Sequence, residues 1–116
     1  MSLVAGRFKA LAEPARLLIL CALGEGELSV SALTEMTALS QANLSKHLQV
    51  LHRHGFVDRR KQGLFVFYHV VGDDVFSLLR AMRNRLAREI GQQTRIFGSD
   101  SDLSPPPGVI DSPTAG

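Results

Sequence analysis

The residues best suited to chemistry lie between Ser40 and Gln62, where SQANLSKHLQVLHRHG is followed closely by Arg59-Arg60-Lys61-Gln62-Gly63. Gln41, Asn43, Ser45, Lys46 and Gln49 carry hydrogen-bonding side chains of the kind that meets base edges and phosphates in a nucleic-acid groove. Residues 40–71 hold Lys46, Arg53, Arg59, Arg60 and Lys61 against Asp58 alone, so positive charge gathers here although the whole chain carries only +2. Cations grouped in this way grip a phosphate backbone and make affinity fall with salt. The expected partner is therefore double-stranded DNA. Gln41 and Asn43 are placed at base edges, with Ser45 and Lys46 at phosphates or in mixed roles. Ser40 lies at the helix start, and His47 packs or touches the backbone. Arg59, Arg60 and Lys61 are expected on phosphates, with Gln62-Gly63 at the hairpin tip.

Other reactive side chains are few. Cys21 is the chain's one cysteine, which excludes an intramolecular disulfide and a multi-cysteine zinc site. It stands among Leu17, Leu18 and Leu20, so a buried, inert thiol is the favoured reading and redox sensing the alternative. His47 and His52 are five apart on a helix and point to different faces, so no metal site is expected from spacing. Neither a nucleophile and base at recognisable spacing nor a glycine-rich phosphate loop is present, so neither an enzyme nor a cofactor is expected.

The elements that would position these residues follow from apolar spacing and its punctuation. Leu3, Val4, Phe8 and Leu11 and then Leu17, Leu18, Leu20 and Cys21 predict helices over 3–12 and 14–24, divided by Glu13-Pro14 and closed by Gly24 and Gly26. Ser29 or Ser31 caps a third helix reaching Thr37, with Val30, Leu33 and Met36 facing inward. Ser40 caps a fourth with Leu44, Leu48 and Leu51 on its apolar side, and Gly55 ends it. A link this short between the third and fourth is that of a helix-turn-helix. Residues 64–71, LFVFYHVV, predict the return strand of a hairpin.

A last helix over 74–96, which Asp73 can cap, carries Val75, Leu79, Met82 and Leu86 at spacings of four, three and four. In a chain this small, that seam and the N-terminal Leu3, Val4 and Phe8 are expected to join in a homodimer. The predicted fold class is thus mainly α with a small β-hairpin, a winged helix-turn-helix over residues 1–97. Residues 98–116, proline-rich with three aspartates and no cation, are expected to be a disordered tail. The absence of a long apolar run or a secretory pattern predicts a cytoplasmic protein with no membrane partner.

On FKALAEPARLLILCAL and SQANLSKHLQVLHRHGFVDRRKQGLFVFYHV the chain resembles the ArsR/SmtB winged-helix repressors, over about Phe8 to Ile90. The resemblance implies a homodimer on an imperfect inverted-repeat operator, released by an inducer. Where metal-sensing members carry thiolates, this chain has Glu27-Leu28-Ser29-Val30-Ser31-Ala32-Leu33-Thr34, and at the other family zinc site it has Gly72, Asp74, Arg85 and Arg88. Neither set suits a cation. The segment around Cys21 looks most like the sulfur-responsive HlyU, BigR and SqrR branch, but arginine stands near the place of its second cysteine. The resemblance therefore implies a repressor whose inducer binds elsewhere, with a small molecule or Cys21 redox chemistry as the signal. A winged helix that binds a protein and not DNA is the rival from another class.

Overall fold

Short polar side chains, one proline and a few glycines set the ends of the helices. The computed structural model describes residues 1–96, with side chains to Gln92, so the tail expected over 98–116 lies outside the described residues. It divides into two units, Met1–Asp73 and the chain from Asp74 on.

In the first unit, α1 (Ser2–Leu11) is followed by α2 (Pro14–Ala22). Glu13 caps α2 by accepting a hydrogen bond from the Arg16 backbone N–H at 3.1 Å, and Pro14 occupies the first turn, where no N–H is needed. A single 3-10 turn, Leu23–Glu25, ends at Gly26 with φ +134°, a value open to glycine. The choice left open between Ser29 and Ser31 falls to Ser29, whose hydroxyl accepts from the Ala32 N–H at 3.1 Å and starts α3 (Val30–Thr37). Ser40 does the same for Asn43 at 3.1 Å and starts α4 (Gln41–Arg53).

The turn between α3 and α4 carries Ala38 at φ +60°, a left-handed conformation unusual for a residue with a Cβ. Buried Thr37 supports it: its hydroxyl donates to the Leu33 carbonyl at 2.6 Å and accepts from the Leu39 N–H at 3.3 Å. At the far end of α4, Gly55 at φ +79° completes a Schellman closure, with its N–H on the His52 carbonyl and the Phe56 N–H on that of Leu51.

Two strands, β2 (Val57–Gln62) and β3 (Phe65–Val70), form the hairpin, and a two-residue strand, β1 (Leu28–Ser29), adds to its other edge in the order β1-β3-β2. Leu28 pairs with Tyr68 and Ser29 with Phe67, so the hairpin is tied to the entrance of α3. This strand is an addition to the expected plan. Gly63 at φ +61° followed by Leu64 forms the tight turn.

The core of this unit is Ile19, Leu20, Leu33, Leu44, Leu48 and Leu51, all essentially inaccessible, with Val57 closing one side. Two inward assignments do not hold. Met36 is 58% exposed, because α3 turns Leu33 and Thr37, one helical step of four apart, to the core and leaves Met36 off that line. Cys21 is exposed as well, because α2 commits the adjacent Ile19 and Leu20 to the core and turns the thiol away.

The second unit is α5 (Asp74–Ile96). The Asp74 carboxylate accepts from the Val75 N–H at 3.1 Å, a favourable charge in the first turn. Arg85 and Glu89, four residues apart, lie 3.5 Å from each other. Val75 is buried, whereas Leu78, Met82 and Leu86 are 40%, 53% and 42% exposed. Among the described residues no helix is long and apolar enough to cross a membrane.

Candidate nucleic-acid interface

Helix α4 is held by Leu44, Leu48 and Leu51, at most 1% exposed, and the same geometry fixes what it shows. Residues 46, 42, 49 and 53 lie roughly opposite that seam at about 100° per residue, with 41, 43 and 45 on its shoulders. Gln41, Asn43, Ser45, Lys46, Gln49 and Arg53 are all exposed, as a reading surface requires.

His47 departs from this set. It sits three residues after Leu44 and four before Leu51, beside the buried seam, and its side chain is 15% exposed. Its Nδ1 lies 3.2 Å from an Arg16 guanidinium nitrogen and 4.0 Å from the Glu13 carboxylate. The other two histidines of this stretch have separate partners, His52 the Asp58 carboxylate at 3.6 Å and His54 the Val50 carbonyl at 3.0 Å.

The hairpin divides the three expected cations between its faces. The tip, expected at Gln62-Gly63, is Gly63-Leu64, because β2 runs through Gln62. Side chains alternate along a strand, so Val57, Arg59 and Lys61 share a face with their cross-strand partners Val70, Tyr68 and Val66. Val57 and Tyr68 are buried on that face, which is therefore the side turned to the helices. Arg59 joins Gln41 and Ser45 of α4, Ser31 of α3 and Phe65 and Tyr68 of β3 around an open cleft of about 340 Å³.

Arg60 is on the opposite face and already occupied. Its guanidinium donates to both Glu27 carboxylate oxygens at 2.8 Å and to the Gln62 side-chain oxygen at 2.7 Å, and it lies 4.7 Å from the centre of the Phe67 ring. A two-pronged carboxylate contact together with ring stacking holds the planar group in place. The hydrogen bonds from Arg60 hold the Glu27 carboxyl below its ordinary range, and that carboxylate in turn raises Arg60. Arg60, one of the three cations expected on phosphates, thus has an acidic partner far away in sequence. The contact fastens β2 to the segment before α3. Sequence spacing missed Glu27 as well as Arg16 and Glu13. Leu64, 96% exposed, and Phe65, 60% exposed, make the tip itself apolar.

The comparisons with known proteins agree on the family and the fold. The family model described as bacterial regulatory protein, arsR family, matches residues 13–59, from the cap of α2 to Arg59 in the hairpin. The biofilm growth-associated repressor of Agrobacterium fabrum is 39% identical over 79 residues, 68% of each chain. The crystal structure of Rv0081 from Mycobacterium tuberculosis superposes with a TM-score of 0.73 at 38% identity, covering 80% of this chain and 94% of that one. The homodimeric winged helix-turn-helix DNA-binding domain Mb0332 of Mycobacterium bovis, solved by NMR, superposes with a TM-score of 0.62 at 30% identity, over 85% of this chain and 87% of that one. An identity of 39% over 68% of both chains, together with the family match to residues 13–59, shows that the chain belongs to the arsR family of bacterial regulatory proteins.

Proposed function

We propose that the protein is a homodimeric repressor that binds an imperfect inverted repeat in DNA through α4 and the hairpin, and leaves it when an inducer binds. The observation that carries this reading is the polar outer surface of α4, where Gln41, Asn43, Ser45 and Lys46 are all exposed and Gln41 and Ser45 share a cleft with Arg59. Helix α4 enters a major groove, and Arg59 and Lys61 take phosphates beside it. Two exposed apolar faces support pairing with a second copy: Leu3, Val4 and Phe8 on α1, and Leu78, Met82 and Leu86 on α5, joined by the partly buried Leu79. Val75 is buried in the single chain and contributes to stability there. Homodimeric Mb0332 and the Agrobacterium repressor support the same reading by kinship.

The division of the hairpin cations gives the test. Lys61→Ala is expected to weaken binding to any duplex and to flatten the slope of log K against log salt by about 0.9, the share of one phosphate left without its cation. Arg60→Ala is expected to leave that slope unchanged, since its charge is already spent on Glu27. Fluorescence anisotropy over a salt series measures both, and an unchanged slope in Lys61→Ala removes the hairpin from the interface.

For the releasing signal, a small molecule and thiol chemistry are the two readings, and the exposure of Cys21 on α2 favours the second. A Cys21→Ser protein is then expected to stay on its operator under polysulfide or peroxide. If it dissociates as the parent does, Cys21 is not the sensor.

A further inference from the structure

We propose that Arg16 is a positioning residue for the recognition helix, acting through His47, and that it seats α4 only while the His47 ring is uncharged. This rests on the DNA-reading role given to α4 above. Arg16 stands where three elements meet. Its backbone N–H binds the Glu13 cap, its Nε donates to the Ala10 carbonyl in the last turn of α1, and its terminal nitrogen lies 3.2 Å from His47 Nδ1 on α4. Guanidinium nitrogens only donate, so Nδ1 must accept and the ring must be neutral with its proton on Nε2. The leucines fix how deep α4 sits, but apolar packing is non-directional. The Arg16 contact adds a directional tie from the face of α4 to α2 and α1.

Protonation of the ring reverses the sign of this tie. Nδ1–H can no longer accept from Arg16, and two cations then face each other at hydrogen-bond distance. The compensating partner is Glu13, but its oxygen is further away, 4.0 Å against 3.2 Å, and it is already the cap of α2. Among the described residues, the charged groups on the other elements packed against α4 face elsewhere or are positive. On α1, Arg7 reaches Gly55 at the opposite end of the helix and Lys9 is exposed. On α3, Glu35 is exposed, and Asp58 of β2 faces His52. Lys46, next in sequence to the ring, adds only positive charge. Protonation of the ring therefore loosens the seat of α4.

The test compares the parent with His47→Asn and Arg16→Gln between pH 7.5 and 5.5, following anisotropy on the native and a scrambled duplex and the melting temperature without DNA. The asparagine amide oxygen falls close to the place of Nδ1 and accepts from Arg16 at every pH. Protonation of the remaining histidines affects all three proteins alike and cancels. The parent is expected to lose about three- to tenfold more native-duplex affinity on acidification than His47→Asn, the equivalent of one ordinary hydrogen bond. It is also expected to lose more melting temperature. Arg16→Gln is expected to start weaker at pH 7.5 and to show no such additional loss. Coincident pH profiles for the parent and His47→Asn in the melting experiment overturn the proposal, whatever the DNA shows. If no protein prefers the native duplex at pH 7.5, the DNA-reading role fails, and the melting profiles still decide the Arg16–His47 contact. Should His47→Asn fail to fold, the comparison of the parent with Arg16→Gln carries the decision in the same way.

Discussion

Leu48→Ala is expected to destabilise the helix-turn-helix unit by about 2–5 kcal/mol, a larger effect than any substitution on the exposed face of the same helix. Leu48 is 1% exposed and stands between Leu44 and Leu51, both at 0%, on the one apolar stripe that α4 possesses. Truncation removes the transfer free energy of the side chain and leaves a cavity in the layer where α4 meets α2 and α3. A helix of this length is marginal in water by itself, so α4 owes its helicity to that burial. Since a small domain has about 5–15 kcal/mol of total stability, the loss is a large share of it. Urea unfolding followed by circular dichroism measures it as a lower midpoint at constant slope. Gln49→Ala, on the exposed face, is the control and is expected to stay within about 0.5 kcal/mol. Similar midpoints for the two variants would mean that α4 is not anchored by its leucine seam.

Asn43→Ala and Gln41→Ala are expected to reduce discrimination between native and scrambled duplex by about 1–3 kcal/mol each, while leaving the salt slope intact. The amides are uncharged, so no counter-ion release depends on them. Gln41 opens the helix at the cleft that also contains Arg59, and Asn43 is exposed one turn from the Ser40 cap. The cap itself uses the backbone N–H of Asn43, so replacing its side chain leaves that bond in place. The signature to look for is a selective loss on the native duplex. An equal loss on both duplexes would assign these residues to the backbone and would leave sequence reading to other side chains.

The helices are legible in the sequence because their signals are local. Ser29 and Ser40 cap where a short hydroxyl precedes an apolar stripe, and Gly55 closes α4 where a left-handed residue is needed. The leucines of α4 keep a period of four and three, which leaves one answer for the buried side. Helix α2 is harder to read. Leu17 to Cys21 is apolar throughout, so spacing alone does not say which residues face inward, and it puts Cys21 on the wrong side.

The hairpin shows a different limit. Arg59, Arg60 and Lys61 read as one basic cluster when only composition is considered, but strand pairing sends alternate residues to opposite faces. Which cation is free then depends on Glu27, brought alongside by the two-residue strand Leu28–Ser29. That strand exists through its pairing with Tyr68 and Phe67 and has no local signal of its own. The position of His47 is half legible: its spacing from Leu44 and Leu51 marks it as flanking the seam, whereas its partner Arg16 lies on another helix. Contacts between distant segments carry this information, and a linear pattern does not display them.

The central claim, that the exposed face of α4 and the inner hairpin cations read DNA, is tested most directly by fluorescence anisotropy of the reduced protein. It is titrated with the duplex upstream of its own coding region and with a scrambled duplex, each at two salt concentrations. The expected result is tight binding to the native duplex that weakens with salt and clearly exceeds binding to the scrambled one at both salts. Equal affinity for the two duplexes at both salts would contradict the claim.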